Sequence, residues 1–523
     1  MGSPGGSAPH SLASVEPELF IGLVAAVGTD HDLITEILEE TLKGFSYQTR
    51  VIRQAQLLHT FPRYKKLPLE PADQYIEQHQ KAGDDFRETT KRSDALAVLG
   101  IGEIQKARIK ESNDKDKVIP RCAYIIRSLK TREEVLTLRS VYGNAFFLIA
   151  SSAPYLVRRR YLATKIATSR HSFQQDPYLP KAEELMQVDQ EEAGKKFGQN
   201  LRNAFHLADI FVDASDNKKL RDSVERGLEL VFGNTFHTPS RDEYGIFQAM
   251  GAALRSAELG RQVGAAIATS VGDIIAVGTN EIPKAGGGLY WAGDTPDHRE
   301  FLTGEDTNDR HKKGLLEDLL YRLKKDGWLN LEKSSLKISH LALLALDSEK
   351  SPHVSGAQLT HLIEFGRAVH AEMAAITDAA RRGVSISGAT MYVTTFPCHL
   401  CAPHIVASGI VRVVYIEPYA KSLAVQLYPD SIAVDSSDKN DYQVQFEPFV
   451  GVAPRKYMEL FSMVQRKKDG RVLAFERSTA FPRLIGSPRS YLANEKFFLG
   501  SLQEIIEKNQ LTIQQQEFIY ERP

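Results

Sequence analysis

The chain alternates short apolar runs with longer charged stretches in which apolar residues recur every three or four positions. The run from Leu19 to Val27 meets the turn Gly28-Thr29-Asp30, after which Leu33, Ile37 and Leu38 share one helical face. Later runs, Ala123 to Ile126, Phe146 to Ile149 and Ile210 to Val212, are bounded by polar residues and separated by charged helical segments. This alternation predicts strands of a parallel sheet joined by helical crossovers. Residues 16–234 therefore read as one α/β domain, with 60–118 as a largely helical insertion and exposed loop.

A turn-rich joint, FGNTFHTPSRDEYG, leads into a helix expected at about 242–259. Two strands follow, in QVGAAIATS and DIIAVGTN, separated by Val271-Gly272. The chain then becomes glycine-rich and strongly charged to about residue 360, and GLLEDLLYRLKKDGW has amphipathic helical spacing. Next come a helix carrying AVHAEMAAITDAARRG, a strand ATMYVTT, a helix opened by PCHLC and a strand VRVVYIEP. Residues 235–523 form the second expected domain, with an insertion at about 285–365. The start, MGSPGGSAPHSLAS, reads as a flexible leader over 1–15.

Composition narrows the class. Of 523 residues 42% are hydrophobic and 25% charged, as in ordinary globular proteins. With 66 acids against 65 bases, no overall field draws the chain to nucleic acid or an anionic membrane. No apolar run approaches the roughly 20 residues needed to span a bilayer. The three cysteines, Cys122, Cys398 and Cys401, make no disulfide framework and suit a reducing cytoplasm.

Two of those cysteines lie in TTFPCHLCAPHI, and their meaning depends on what stands upstream. His370-Ala371-Glu372 precedes Pro397-Cys398-x-x-Cys401 by 24 residues, the H-x-E…P-C-x-x-C pattern of zinc deaminases. A catalytic zinc takes three protein ligands and keeps one position for water. His370, Cys398 and Cys401 supply the three. Both cysteines are expected in the first turn of a helix, where free N–H groups favour thiolates and Pro397 suits the start. Glu372 is too close to His370 in sequence to share the ion, but it is placed to take a proton from the metal's water. A redox pair would need no HAE upstream. A structural zinc site would need a fourth ligand, and His399, His404 and Cys122 are each awkward for it.

The segments RSAELGRQVGAAIATSVGDIIAVGTNEIP, GRAVHAEMAAI and ATMYVTTFPCHLCAPHIVASGIVRVVYIEPY resemble the deoxycytidylate deaminase family, over roughly 241–283 and 366–420. The resemblance implies a cytidine-deaminase-like α/β/α domain and a sugar 3′-hydroxyl contact from Asn280. It also implies a substrate contact at Ala371, with Lys284 and Arg367 as further candidates. The family's G-Y-N-G is here Gly278-Thr279-Asn280-Glu281, a departure that touches the sugar and phosphate contacts. Trp291, Asp294, Asp297 and Arg299 stand out in the charged insertion as a lid or interface, or as plain insertion surface.

The amino-terminal turn GLVAAVGTDHDL is a poorer motif. A P-loop is G-x-x-x-x-G-K-[ST]; here Gly22 and Gly28 are one residue too far apart and Thr29 stands where lysine should. Gly22, Gly28, Thr29 and Asp30 are candidates for binding a nucleotide, since a glycine turn at a helix start can hold an anion. A structural role or an oligomer interface are the other readings. Arg158-Arg159-Arg160 reads as a solvated basic patch or a phosphate clamp.

Together with IIRSLKTREEVLTLRSVYGNAFF and EFGRAVHAEMAAI, the whole resembles bacterial anti-phage deoxycytidine-nucleotide deaminases. These join a degenerate P-loop kinase-like parallel-sheet domain to a deaminase domain. The resemblance implies zinc-dependent conversion of dCTP and dCMP to their uracil forms, a homo-oligomer, and restraint by a small RNA or peptide. A deaminase acting on RNA or DNA bases, and a non-catalytic nucleotide sensor, are the competing readings. The balanced charge disfavours the first and Glu372 the second.

Overall fold

The computed structural model describes residues 16–190, 198, 200–347, 349–355, 357–419, 422–435, 442–509 and 511. The leader expected at 1–15 lies outside them. The chain divides into two compact units, Met1–Glu243 with Val450–Pro523, and Tyr244–Phe449.

The first unit is built on strands β1 (Leu19–Ala25), β2 (Gln48–Arg53), β3 (Cys122–Arg127), β4 (Phe146–Ser152) and β5 (Ile210–Asp213). They pair in parallel in the order β2-β3-β1-β4-β5. Ile21 of β1 sits between Ile125 and Phe147 of its neighbours. The central strands are apolar at nearly every position because helices cover both faces of such a sheet. Four of the strands stand where the apolar runs predict them. The edge strand β2, QTRVIR, is the one the pattern conceals, since it has only two apolar residues and buries only Ile52.

Segment 60–118 is helical, as expected, but much of it is not exposed. Helix Ala95–Ser112 buries Leu96, Val98, Leu99, Ile101 and Ile104. It also buries Arg108, whose guanidinium bonds to Glu18 at 2.8 Å and Glu495 at 2.7 Å. Glu495 belongs to helix Pro488–Lys508. The expected single domain 235–523 is thereby divided: from Val450 onward the chain packs into the first unit. Buried ion pairing and apolar packing, both non-local, decide this.

The second unit holds β6 (Gly264–Ala268), β7 (Ile274–Thr279), β8 (Thr390–Thr395), β9 (Arg412–Glu417), β10 (Ile432–Val434) and β11 (Val444–Pro448). Their order is β10-β11-β9-β8-β6-β7. The β6–β7 hairpin is antiparallel to β8, whereas β8, β9, β11 and β10 run parallel. Helix Ala371–Arg382 covers the hairpin, burying Ala371, Ala375 and Ala379. Gly278 makes this approach possible, because a Cβ there would lie 2.1 Å from the Ala371 carbonyl oxygen. The insertion carries helices Thr307–Lys325 and Ile338–Leu346 around a small core of Leu316, Ala342 and Ala345. Among the described residues no helix is long and apolar enough to cross a membrane.

Candidate metal centre

His370 is the N-cap residue of helix Ala371–Arg382, and Glu372 lies in its first turn. On the other side, β8 ends at Thr395 and the chain turns through Pro397 and Cys398. The Cys398 carbonyl accepts from the N–H groups of Cys401 and Ala402, at 3.1 and 3.0 Å. Regular helix begins only at Ala402, with Cys401 as its N-cap. The expectation that both cysteines share a helical first turn with Pro397 at its start is therefore corrected. Cys398 is held by a turn, and Pro403 is the proline inside the helix. A second proline so near the start lets that turn close before the helical repeat sets in.

His370 Nδ1 lies 3.2 Å from Cys398 Sγ and 3.4 Å from Cys401 Sγ. All three ligand atoms fall within 4.8 Å of one another, and both cysteines are buried. Such a set could hold a metal ion. One nitrogen and two sulfurs suit zinc in type and number, leaving a fourth position for water. His399 is half-buried and faces Glu364 at 3.6 Å, and His404 is exposed. Cys122 is buried within β3 of the first unit.

The electrostatics of the group are set by burial and by hydrogen bonding among its members. The thiol of Cys401 bonds to Cys398, holding the latter's thiol down at about 4, with the nearby His370 acting in the same direction. The same bond, with burial, pushes Cys401 far up. Hydrogen bonding to Cys398 raises His370 to about 9 against the cost of its burial. Burial, then the Cys398 thiolate, raises Glu372 to about 7. At 4% exposure, Glu372 sits dry beside the ligand set with a pKa suited to passing protons near neutrality.

Other candidates are placed more diversely. Asn280 is 7% exposed, and its amide bridges the 261–263 turn, donating to the Arg261 carbonyl at 2.6 Å and accepting from Val263 N–H at 2.7 Å. Glu281, which with Thr279 departs from the family pattern, is buried and accepts from the N–H groups of Ala257 and Ile282. Lys284 is exposed and paired with Asp294 at 2.8 Å, and Arg367 is exposed beside the His298 carbonyl. Trp291 lies under the Arg255 guanidinium at 3.4 Å, and Asp297 pairs with Arg299.

In the first unit, Gly22 lies inside β1, where a Cβ would meet Leu129 and Phe146 at 2.8 Å. Asp30 caps helix His31–Gly44 through the N–H groups of Asp32 and Leu33. Gly28 has φ +92, and a Cβ there would lie 2.6 Å from the Arg158 carbonyl oxygen. Arg158 itself donates to the Val27 carbonyl, and Arg159 pairs with Glu183 at 2.7 Å.

Glu258 escapes a reading based on spacing. Its carboxylate lies within 4.8 Å of those of Glu300 and Asp306, and its charge is felt at His370. Burial, then those two neighbours, pushes its pKa up. Glu258 is separated from Glu300 and Asp306 by the β6–β7 hairpin and the glycine-rich stretch after it, so the trio carries no signal in sequence.

Residues 239–417 match the family model described as the cytidine and deoxycytidylate deaminase zinc-binding region. Over 54 residues the chain is 57% identical to the deoxycytidylate deaminases of Enterobacteria phages T2 and T4, covering 10% of this chain and 29% and 28% of theirs. It is 43% identical over 65 residues to ComE operon protein 2 of Bacillus subtilis (strain 168), covering 12% of this chain and 34% of that protein. The chain thus spans about three tenths of the length of these curated relatives. Among solved structures, the dCMP deaminase of cyanophage S-TIM5 in apo form aligns at 16% identity. That alignment covers 41% of this chain and 100% of the other, with a TM-score of 0.22. The complex of the same enzyme with dCMP and dUMP gives 17% identity, the same coverage and the same TM-score.

Proposed function

We propose that the unit Tyr244–Phe449 hydrolytically deaminates free deoxycytidine nucleotides, dCMP, dCTP or both, to their uracil counterparts with release of ammonia. The observation that carries this reading is the convergence of His370, Cys398 and Cys401 beside the buried carboxyl of Glu372, inside the segment that matches the deaminase zinc-binding region. His370, Cys398 and Cys401 would hold the ion. Zinc, when bound, supplies Lewis-acid activation of the attacking water.

Glu372 does the proton work. It takes a proton from the water as oxygen bonds to C4, and delivers it to the ring nitrogen N3. It then moves the second proton to the exocyclic amine, which leaves as ammonia while the C4–N bond breaks. A carboxyl raised to about 7 can both accept and return protons at neutral pH. Asn280 retains one amide hydrogen and one lone pair beyond its bonds to Arg261 and Val263, and these are assigned to the deoxyribose 3′-hydroxyl. The Ala371 side chain is buried, so its contact with the pyrimidine runs through its backbone N–H, one of the orphan donors of a helix start. Lys284 and Arg367, both exposed, are left for the phosphates.

The test is product analysis by mass spectrometry with dCMP, dCTP, CTP and single-stranded DNA, comparing the natural chain with Glu372→Ala. Deamination of free deoxycytidine nucleotides, abolished in the variant at unchanged zinc content, supports the reading. Deamination of DNA alone would replace it with a base-editing one. A zinc-loaded chain inert toward every substrate would replace it with a sensor. The biological extension is depletion of dCTP against phage, by a cytoplasmic homo-oligomer restrained by a small RNA or peptide. It rests on resemblance and is tested by whether the natural chain, but not Glu372→Ala, lowers cellular dCTP and phage yield.

A further inference from the structure

The first unit contains a cavity of about 790 Å³, a volume typical of small-ligand sites. Its position follows from topology. Because β1 to β5 are all parallel, their carboxyl ends share one edge of the sheet. The chain leaves β1 for β2 on one side, and later crosses β1 to pass from β3 to β4 on the other. The cavity lies at this reversal, where open α/β sheets bind ligands. Residues at or just beyond the ends of three strands line it: Gly28 and Thr29 after β1, Arg53 at the end of β2, and Arg127 at the end of β3.

The glycine turn is not itself a free anion seat. The N–H of Val27 donates to Asp189 at 2.7 Å, and buried Asp189 also pairs with Lys130 at 2.6 Å. The positive charge comes from other lining residues. Arg127, Lys165 and Arg53 approach a single carboxylate, Asp32, at 2.8, 3.5 and 3.7 Å. Three cations therefore share one anion. Two polar atoms just after β1 have no hydrogen-bond partner among the described residues: Thr29 Oγ1, in a residue only 6% exposed, and His31 Nδ1. An unpaired buried hydroxyl costs free energy unless a ligand meets it. Part of the lining is of another kind: Leu58, Leu69 and Ile76 with the ring of Tyr75, which lies 4.0 Å from that of His79. A bare phosphate has no use for such a lining, whereas a flat heterocycle does.

We infer that this cavity binds a nucleoside triphosphate, its phosphates against Arg53, Arg127 and Lys165 with Thr29 Oγ1 donating to them, and its base against Tyr75 and Ile76. The site is independent of the deaminase reading, and of the Gly28-Thr29-Asp30 turn the hydroxyl of Thr29 alone is assigned to the phosphates. Arg53 and Lys165 are half-exposed at their side chains and can be truncated without opening the core.

The experiment is isothermal titration of the full chain with ATP, GTP, UTP and dTTP, with inorganic tripolyphosphate and adenosine as the two half-ligands. At least one triphosphate is expected to bind with one site per chain, about tenfold or more tighter than either half-ligand. Lys165→Ala, Arg53→Ala and Thr29→Val should each weaken it by about three- to tenfold. Zinc content and deamination of dCMP, measured on the same preparations, report whether the chain is intact. No saturable binding of any triphosphate below millimolar concentration would overturn the inference, as would affinities that none of the three substitutions changes. Tripolyphosphate binding as tightly as the best nucleotide would overturn the assignment of the base.

Discussion

Helix His31–Gly44 and helix Ala371–Arg382 both start at a site where a glycine lets backbone approach backbone closely, yet the two places present chemistry in opposite ways. At the second, Gly278 brings β7 against the Ala371 carbonyl, and the helix start holds His370 next to two thiols. At the first, Gly28 admits the Arg158 carbonyl, and the N–H beside it is already taken by Asp189. One turn serves as a scaffold for ligands of its own. The other serves packing, and the cations that face its cavity arrive from β2, β3 and helix Tyr155–Ser169. Close approach is thus a shared device, and the side chains delivered to it decide what it does.

The comparison breaks most completely at the thiols. Cys401→Ser removes a ligand from a buried set of three, so bound zinc and deamination should both fall to background, read by metal analysis and ammonia release. Glu372→Gln separates holding the ion from using it: zinc stays, and turnover drops by about 10²–10⁴-fold.

Stability probes sharpen the contrast between the units. Glu495→Ala leaves Arg108 buried with one partner fewer, a change that should cost about 3–5 kcal/mol in the first unit by chemical denaturation. The metal centre should keep its zinc at temperatures where the natural chain is folded. Gly278→Ala and Gly28→Ala should each cost about 1–3 kcal/mol by overpacking. Only the first should lower deamination, because it displaces the helix that carries His370 and Glu372.

The smallest effect is one of pH. Burial, then Lys130, Arg127 and Lys165, hold His31 down at about 3 from its ordinary 6.5. Below 6.5 the unfolded chain takes up a proton that the folded one refuses. The contribution is therefore complete above 6.5 and is lost as pH falls toward 3. The melting temperature of the natural chain should decline over that window more steeply than that of His31→Gln.

Much of the second unit is legible in the linear chain, because cysteine is rare and its spacing from histidine and glutamate is specific. HAE and PCHLC point to each other across a strand, and the hairpin before them shows as two short apolar runs broken at Val271-Gly272. What misleads is local detail: regular helix begins after Cys401, since the 398–401 turn closes on the Cys398 carbonyl first. The first unit is legible as a parallel sheet but not in its edge strand β2, whose charged residues look like loop. The return of 450–523 is hidden as well. A buried Arg108 between Glu18 and Glu495 leaves no periodic trace, the three residues being far apart in sequence.

Residue type and near neighbours, which a linear pattern preserves, suffice for the local chemistry: which side chains can ligate a metal, which runs form strands, and where glycine breaks them. What meets across distance is set by the folded chain alone. Folding places Glu258 near His370, gathers Arg53, Arg127 and Lys165 around Asp32, and fills the amino-terminal turn with Asp189. Charged residues are common, and their pairing follows from where the sheet edge brings them, so their roles emerge only in three dimensions.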